Sequence, residues 1–430
     1  MKGIIWTVFA ILLALALPPV LPASAVENRP LADLVEQALA NNPDLQAARE
    51  RWQMFEQKVL PARALDDPRL GLAFSNYPVD SFQADQTPMT GNELQVSQGF
   101  PFPGKLGAKG EMAGEQARWY QGAYEDARLQ LAGKVKDAWY RLTFQDRAIA
   151  VTEQDLKLLD QFIRLAATRY AVGKGLQQDV LKAQLERSKL MDKLFTQRQQ
   201  RRTVTAELNT LLGRDPATPF GPLPELVATT VTQDVQALQQ QATDHRPLFR
   251  SYQSLIDRYQ SQRHLAKLSY YPDFNVWASY RFRDDNLPDG GTDFASAGIS
   301  INLPLWRDKR AAEVADADSG VRMARRQFDD FRNQVHFAIE DGSARLAKDR
   351  DLLELYGSGI LPQAQQTYAA SLSAYQVGSV DALNLIDSLL SLYRYQIEYQ
   401  RVLADHERDV ARLEAVTGVS LGDPSPEATP

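Results

Sequence analysis

The sequence predicts a fold of long α-helices and membrane-type β-strands arranged as two internal repeats, and three observations lead there. Landmarks recur at a near-constant offset, short segments alternate apolar and polar residues, and long stretches lack proline. Tyr170-Ala171-Val172-Gly173 returns as Tyr375-Gln376-Val377-Gly378, Asn42-Pro43 as Arg246-Pro247, and Pro101 as Pro304, at offsets of 205, 204 and 203 residues. One shared tetrapeptide is weak, but three landmarks of different type at nearly one offset mark a duplication.

The elements follow in the same order in each copy. Residues 1–25 come first, with Lys2, an apolar run from Ile4 to Leu17 and the small-x-small triplet Ala23-Ser24-Ala25. They read as an export signal cut before Val26, since the apolar run is short for a membrane span. Repeat 1 is expected over 26–213, a linker over 214–244, repeat 2 over 245–418 and a flexible tail over 419–430. Each repeat opens with a helical stretch, Leu31 to about Leu60 and Leu248 to about Leu268, closed by Pro61 and Pro272.

Two strands come next, at about 68–100 and 273–303. Leu70, Leu72 and Phe74 alternate with polar or small neighbours, as do Val276, Ala278 and Tyr280, and period two places one apolar and one polar face on each strand. Loops rich in Pro, Asp, Asn and Gly, 76–92 and 284–293, connect them as hairpins. Proline-free stretches of roughly 65 residues then predict helices on the order of 100 Å long. The long helices run over about 105–212 and 307–417, the second continuing past Pro362, and Val314, Val321, Phe328 and Val335 form a coiled-coil-like stripe. Gly173 and Gly378 turn the chain, and Gly213 and Gly418 end the returning helices.

Composition narrows the function. With 48 basic and 54 acidic side chains the net charge is −6, without the basic excess that a nucleic-acid partner requires. There is no cysteine, so disulfides, thiolate metal sites and a lipidated N-terminal cysteine are excluded. His245, His264, His336 and His406 lack metal-ligand spacing, and neither a phosphate loop nor a nucleophile elbow occurs. Adjacent carboxylates such as Asp66-Asp67 and Asp284-Asp285 point apart in regular structure. No catalysis, cofactor or resident metal is expected.

Strands of about 9 to 11 residues are long enough to cross a bilayer when tilted. Aromatic residues near their ends, among them Phe74, Tyr77, Phe100, Tyr271, Phe282 and Trp306, suit membrane interfaces. Four strands cannot close a barrel, and unpaired edges are not tolerated in lipid, so several chains must combine. Three chains would give a twelve-stranded barrel, continued by a coiled-coil tunnel. The duplication of strand pairs argues against a periplasmic adaptor, and the alternation argues against a purely structural coiled coil.

The segment Leu39-Ala40-Asn41-Asn42-Pro43-Asp44-Leu45, the segment Val96-Ser97-Gln98-Gly99-Phe100-Pro101-Phe102-Pro103-Gly104-Lys105 and the two Tyr-x-Val-Gly turns give the chain a specific likeness. Over nearly its whole mature length it resembles the TolC-like outer-membrane efflux proteins. The resemblance implies a homotrimer in the outer membrane of a Gram-negative cell, with a large periplasmic part, docked to a periplasmic adaptor and an inner-membrane pump. It also implies a constriction at the periplasmic end. Asp387 matches the family's aspartate nine residues past Gly378, whereas Asn384 stands where some members carry a second aspartate. Asp381 either joins the constriction or caps the returning helix. Tyr375 and Asp179 occupy positions that latch or line this end. For Asp387 the alternatives are a solvated helix face or a bridge to Arg394 or Lys182. Val172, Gly173 and Lys174, with Val377, Gly378 and Ser379, resemble the tips that meet adaptors, although glycine there also serves simply to permit a positive φ. The segment from Gln98 to Lys105 is similar to members serving heavy-metal pumps more than to those serving protein secretion, which puts metal cations ahead of drugs as expected cargo.

Overall fold

Proline and asparagine begin the architecture. The computed structural model describes residues 30–221, 223–287 and 289–422, so the export signal and the last eight residues lie outside it. The predicted first helix is three: α1 (Leu31–Asn41), α2 (Pro43–Gln57) and α3 (Val59–Arg63). Asn42 divides the first two. Its Oδ1 accepts from Leu45 N at 3.1 Å as the α2 cap, its Nδ2 donates to Leu211 O at 3.0 Å, and Pro43 opens α2. Pro61 lies inside α3, where the first turn needs no amide donor, and does not end the helical stretch.

The sheet is antiparallel in the order β1 (Arg69–Ser75), β2 (Gly91–Phe100), β3 (Phe274–Phe282), β4 (Phe294–Ile301). β2 pairs with β3, so the two repeats join edge to edge, and β1 and β4 remain open edges. The register aligns the two sequence patterns. Leu70, Val96, Ala278 and Ala297 face one another across all four strands, as do Leu72, Leu94, Tyr280 and Ala295, giving an apolar face. The rows between, such as Gly71, Gln95, Ser279 and Ser296, make the polar face, where Arg281 pairs with Glu93 at 2.9 Å. Leu70, Leu72 and Ile299 are exposed, so nothing among the described residues of one chain covers the apolar face.

Pro101 to Gly104 then turn the chain out of the sheet, with Gly104 at φ 95°. Asp273 of the second repeat receives Phe102 N and Lys105 Nζ, both at 2.7 Å, and so ties the first repeat's Phe-Pro-Gly-Lys segment to the start of β3. From there α4 (Lys105–Ala171) runs 67 residues, roughly 100 Å at about 1.5 Å per residue. The first repeat closes with α5 (Gln177–Leu211).

The predicted linker 214–244 contains most of a helix, α6 (Val235–His245), capped by Asp234 and followed by α7 (Pro247–Leu268). This pair mirrors α1 and α2, so the second repeat begins ahead of residue 245. Leu34 and Ala38 of α1 anchor one core, and Leu238 and Ala242 of α6 anchor its counterpart. The long helix α8 (Arg307–Glu354) passes through a π-helical turn, Leu355–Ile360, into α9 (Leu361–Val377). Pro362 supplies no amide to the preceding turn, and Leu361 N instead reaches Tyr356 O, five residues back. The last helix is α10 (Ala382–Thr417). A third core gathers Leu156, Leu159 and Phe162 of α4, Leu190 of α5, Tyr375 of α9 and Leu385, Ile386 and Leu389 of α10 near the two turns. Among the described residues no helix is long and apolar enough to cross a membrane.

Candidate functional site

The recurring Tyr-x-Val-Gly motif is a helix end built twice. At the first turn Gly173 has φ 69°, and the amides of Gly173 and Lys174 donate to Tyr170 O at 3.0 Å and Arg169 O at 2.8 Å. At the second, Gly378 has φ 85°, and the amides of Gly378 and Ser379 donate to Tyr375 O at 3.1 Å and Ala374 O at 2.9 Å. Both use the left-handed glycine that closes a helix by back-bonding its last carbonyls. Val172, Gly173, Lys174, Val377, Gly378 and Ser379 are all exposed.

The returning helices are started by different acids. Asp179 reaches back from the first turn of α5 to Leu176 N at 3.3 Å, whereas Asp381 is itself the cap of α10, accepting from Asn384 N at 2.9 Å. Of the two roles open to Asp381, the cap is formed within the chain, where an acidic residue also suits the helix dipole.

The two tyrosines of the motif diverge. Tyr170 is 49% exposed, while Tyr375 is 3% exposed and packs on Phe162 with ring centroids 5.3 Å apart. Tyr375 therefore does not line a surface, which corrects that part of the expectation: its apolar ring is drawn into the third core. Its hydroxyl is buried without a hydrogen-bond partner. Burial pushes its pKa up and the Asp179 carboxylate adds to this, while Arg169 opposes it. Asp179 thus lies near Tyr375, but no Tyr375–Asp179 hydrogen bond forms.

Arg169, which the sequence reading passed over, brings the turns together. Its Nη1 donates to Tyr375 O, and its guanidinium lies 4.8 Å over the Tyr375 ring. The signal was an asymmetry between the copies, since Ala374 stands where Arg169 would repeat.

Asp387 is exposed on α10, on the side opposite the buried Leu385, Ile386 and Leu389. Spacings of three and seven residues place Asn384, Asp387 and Arg394, all exposed, on one face. Lys182 pairs with Glu186 at 3.5 Å, and among the described residues Asp387 forms neither of the two bridges considered above.

A second unforeseen group is Asp155 on α4, 2% exposed within a single chain, with Oδ2 lacking a partner. Burial alone pushes its pKa up to about 7. Tyr368 of α9 and Tyr393 of α10 both feel its charge, and Tyr393 shares a 3.1 Å hydrogen bond with Thr152. Among the described residues no group of three or more His, Cys, Asp or Glu could hold a metal ion.

The profile described as "outer membrane efflux protein" matches residues 34–214 and again 238–419, one match to each repeat. The chain belongs to this family. It is an outer-membrane efflux channel protein, and the four-stranded sheet and helical hairpins are the fold it shares with the solved structures of the family. The efflux family relatives include the cobalt-zinc-cadmium resistance protein CzcC of Cupriavidus metallidurans, 20% identical over 93% of this chain and 92% of its own length. The outer membrane efflux protein BepC of Brucella suis is 21% identical over 91% of this chain and 85% of its own length. Among solved structures, the outer membrane protein VceC of Vibrio cholerae superposes with a TM-score of 0.77 at 20% identity, covering 91% of this chain and 96% of that one. All three likenesses span both repeats, so the efflux fold extends over essentially the whole described chain.

Proposed function

We propose that this efflux channel acts as a homotrimer, its twelve strands closing a barrel in the outer membrane and its helices forming a periplasmic tunnel fed by an adaptor and an inner-membrane pump. The observation that carries the reading is the sheet itself. Its apolar face is uncovered and β1 and β4 have unpaired edges, and in lipid each unsatisfied backbone group costs several kcal/mol. Pairing β4 of one chain with β1 of the next removes every edge. Metal cations are the favoured cargo, supported by the likeness to CzcC, a cobalt-zinc-cadmium resistance protein, with drugs second. The alternative cargo, secreted protein, has no comparable support.

Within this trimer Asp387, with Asn384 a turn before it, forms the periplasmic constriction, and Asp381 and Asp179 position the helices that carry it. Tyr375 serves as the buried latch. The exposed tips 172–174 and 377–379 are the adaptor-docking surface. Three carboxylates on a narrow axis concentrate negative potential and favour cations.

Fractionation tests the assembly: a heat-sensitive trimer in outer-membrane detergent extracts is expected, and a soluble monomer would refute it. For the constriction, Asp387→Ala should lower cation selectivity in planar bilayers, and unchanged selectivity removes Asp387 from that role. Metal tolerance in a deletion strain tests the cargo, with sensitivity to divalent cations expected.

A further inference from the structure

Arg169 directs both terminal nitrogens of its guanidinium at backbone carbonyls of the two turns. Nη1 donates to Tyr375 O and, at 3.4 Å, to Gln376 O, while Nη2 donates to Lys174 O at 3.3 Å. The carbonyls of Tyr375 and Gln376 end α9, and helix ends carry partial negative charge and leave their last carbonyls without partners inside the helix. A cation between the two turns therefore satisfies both, and the planar guanidinium reaches both because its donors diverge in a rigid fork. A lysine ammonium in the same place is a point charge on a flexible stem and lacks that fork.

We propose that Arg169 is a positioning residue, a lock that holds the second turn to the first and so sets where α10 presents Asn384 and Asp387. The proposal rests on the constriction assigned above. The chain between the lock and that face is short and stiff. Gly378 follows Gln376 by two residues, Asp381 caps α10, and Asn384 is the residue it caps. Displacing the Tyr375 and Gln376 carbonyls displaces the start of α10 with them. Contact at residue 378 is tight, since a Cβ there would lie 3.0 Å from Arg169 Nη2 and the guanidinium would have to give way. The third core below holds the hairpin together without the lock, because Phe162, Leu385, Ile386 and Leu389 pack there independently of any ionic contact. All of these bonds lie within one chain. Arginine does not deprotonate, so the lock is released by mechanical displacement of a turn rather than by pH. A partner that docks on one tip would thus move the other.

The test compares purified wild-type, Arg169→Gln and Arg169→Lys trimers in planar bilayers. Losing charge-assisted hydrogen bonds to two turns shifts the balance between the locked and the displaced arrangement of the turns by roughly tenfold. Arg169→Gln is therefore expected to raise time-averaged conductance and to speed protease cleavage at Lys174, with Arg169→Lys between it and the wild type. A readout that a merely structural role would not move is the coupling to Asp387: the selectivity change caused by Asp387→Ala should shrink in the Arg169→Gln background. Conductance equal to that of the wild type, or strictly additive effects of the two substitutions, overturns the lock. Should Arg169→Gln fail to assemble, Arg169→Lys decides alone, and wild-type conductance and cleavage there count against it. A wild-type protein that does not conduct refutes the channel reading beneath the proposal instead.

Discussion

Replacing Asp155 by asparagine should make the protein more stable at alkaline pH and remove part of its pH dependence. The carboxyl is 2% exposed, and its Oδ2 has no partner. Burial carries its pKa from 3.8 to about 7. A raised carboxyl pKa means that the folded chain holds a proton that the unfolded chain has already lost between those two values. Stability therefore falls as pH rises through that window and levels off above about 7. The full difference corresponds to about 4 kcal/mol per chain, of which about 2 kcal/mol falls between pH 5.5 and 8. Asp155→Asn keeps the shape of the protonated acid and cannot ionise. Thermal melting of detergent-solubilised trimers at pH 5.5, 7 and 8 measures the effect as the difference between wild type and variant, which cancels the other titrating groups. The variant's advantage over the wild type should grow by about 2 kcal/mol from pH 5.5 to pH 8. Parallel pH profiles for the two proteins would show that Asp155 is hydrated or paired in the assembly, and the inference from burial would fail.

Two further substitutions probe the scaffold. Gly378→Ala must hold φ 85° and bring its Cβ within 3.0 Å of Arg169. A cost of about 1–3 kcal/mol is expected, read as a lower melting temperature and faster proteolysis at the tip; an unchanged melting temperature would contradict the turn geometry. On the sheet, Leu72→Arg places a charge on the apolar face, where a position at the bilayer midplane costs about 2–4 kcal/mol. Ser296→Arg, on the polar face, should be tolerated. Outer-membrane yields measured by fractionation separate them, and equal yields would mean that the two faces have been assigned the wrong way round.

The strands, their faces, the long helices and the glycine turns were legible because each is written locally. Period two in Leu70, Leu72 and Phe74 needs no partner to be seen, and Gly173 and Gly378 mark helix ends through their own φ. The helix α6 escaped because Val235–His245 is short and polar apart from a narrow face, and only its packing through Leu238 and Ala242 into the second repeat's core gives it a place. The pairing of β2 with β3 joins segments far apart in sequence, and their alternation is compatible with many registers until the repeats fold on one another. Tyr170 and Tyr375 share a motif and differ in burial because only the second meets Phe162 and Arg169. Asp155 looked like any acid on a long helix, and its missing partner is a property of the three helices around it.

By itself, then, the sequence determined the repeat plan, the alternating faces and the positions of the turns, since backbone preference and hydrophobic period act over a few residues. Tertiary structure alone decided which acid is buried, which tyrosine is buried and which arginine spans the two tips. Those properties depend on which helix faces meet, and a helix surface read in isolation carries no record of its neighbour.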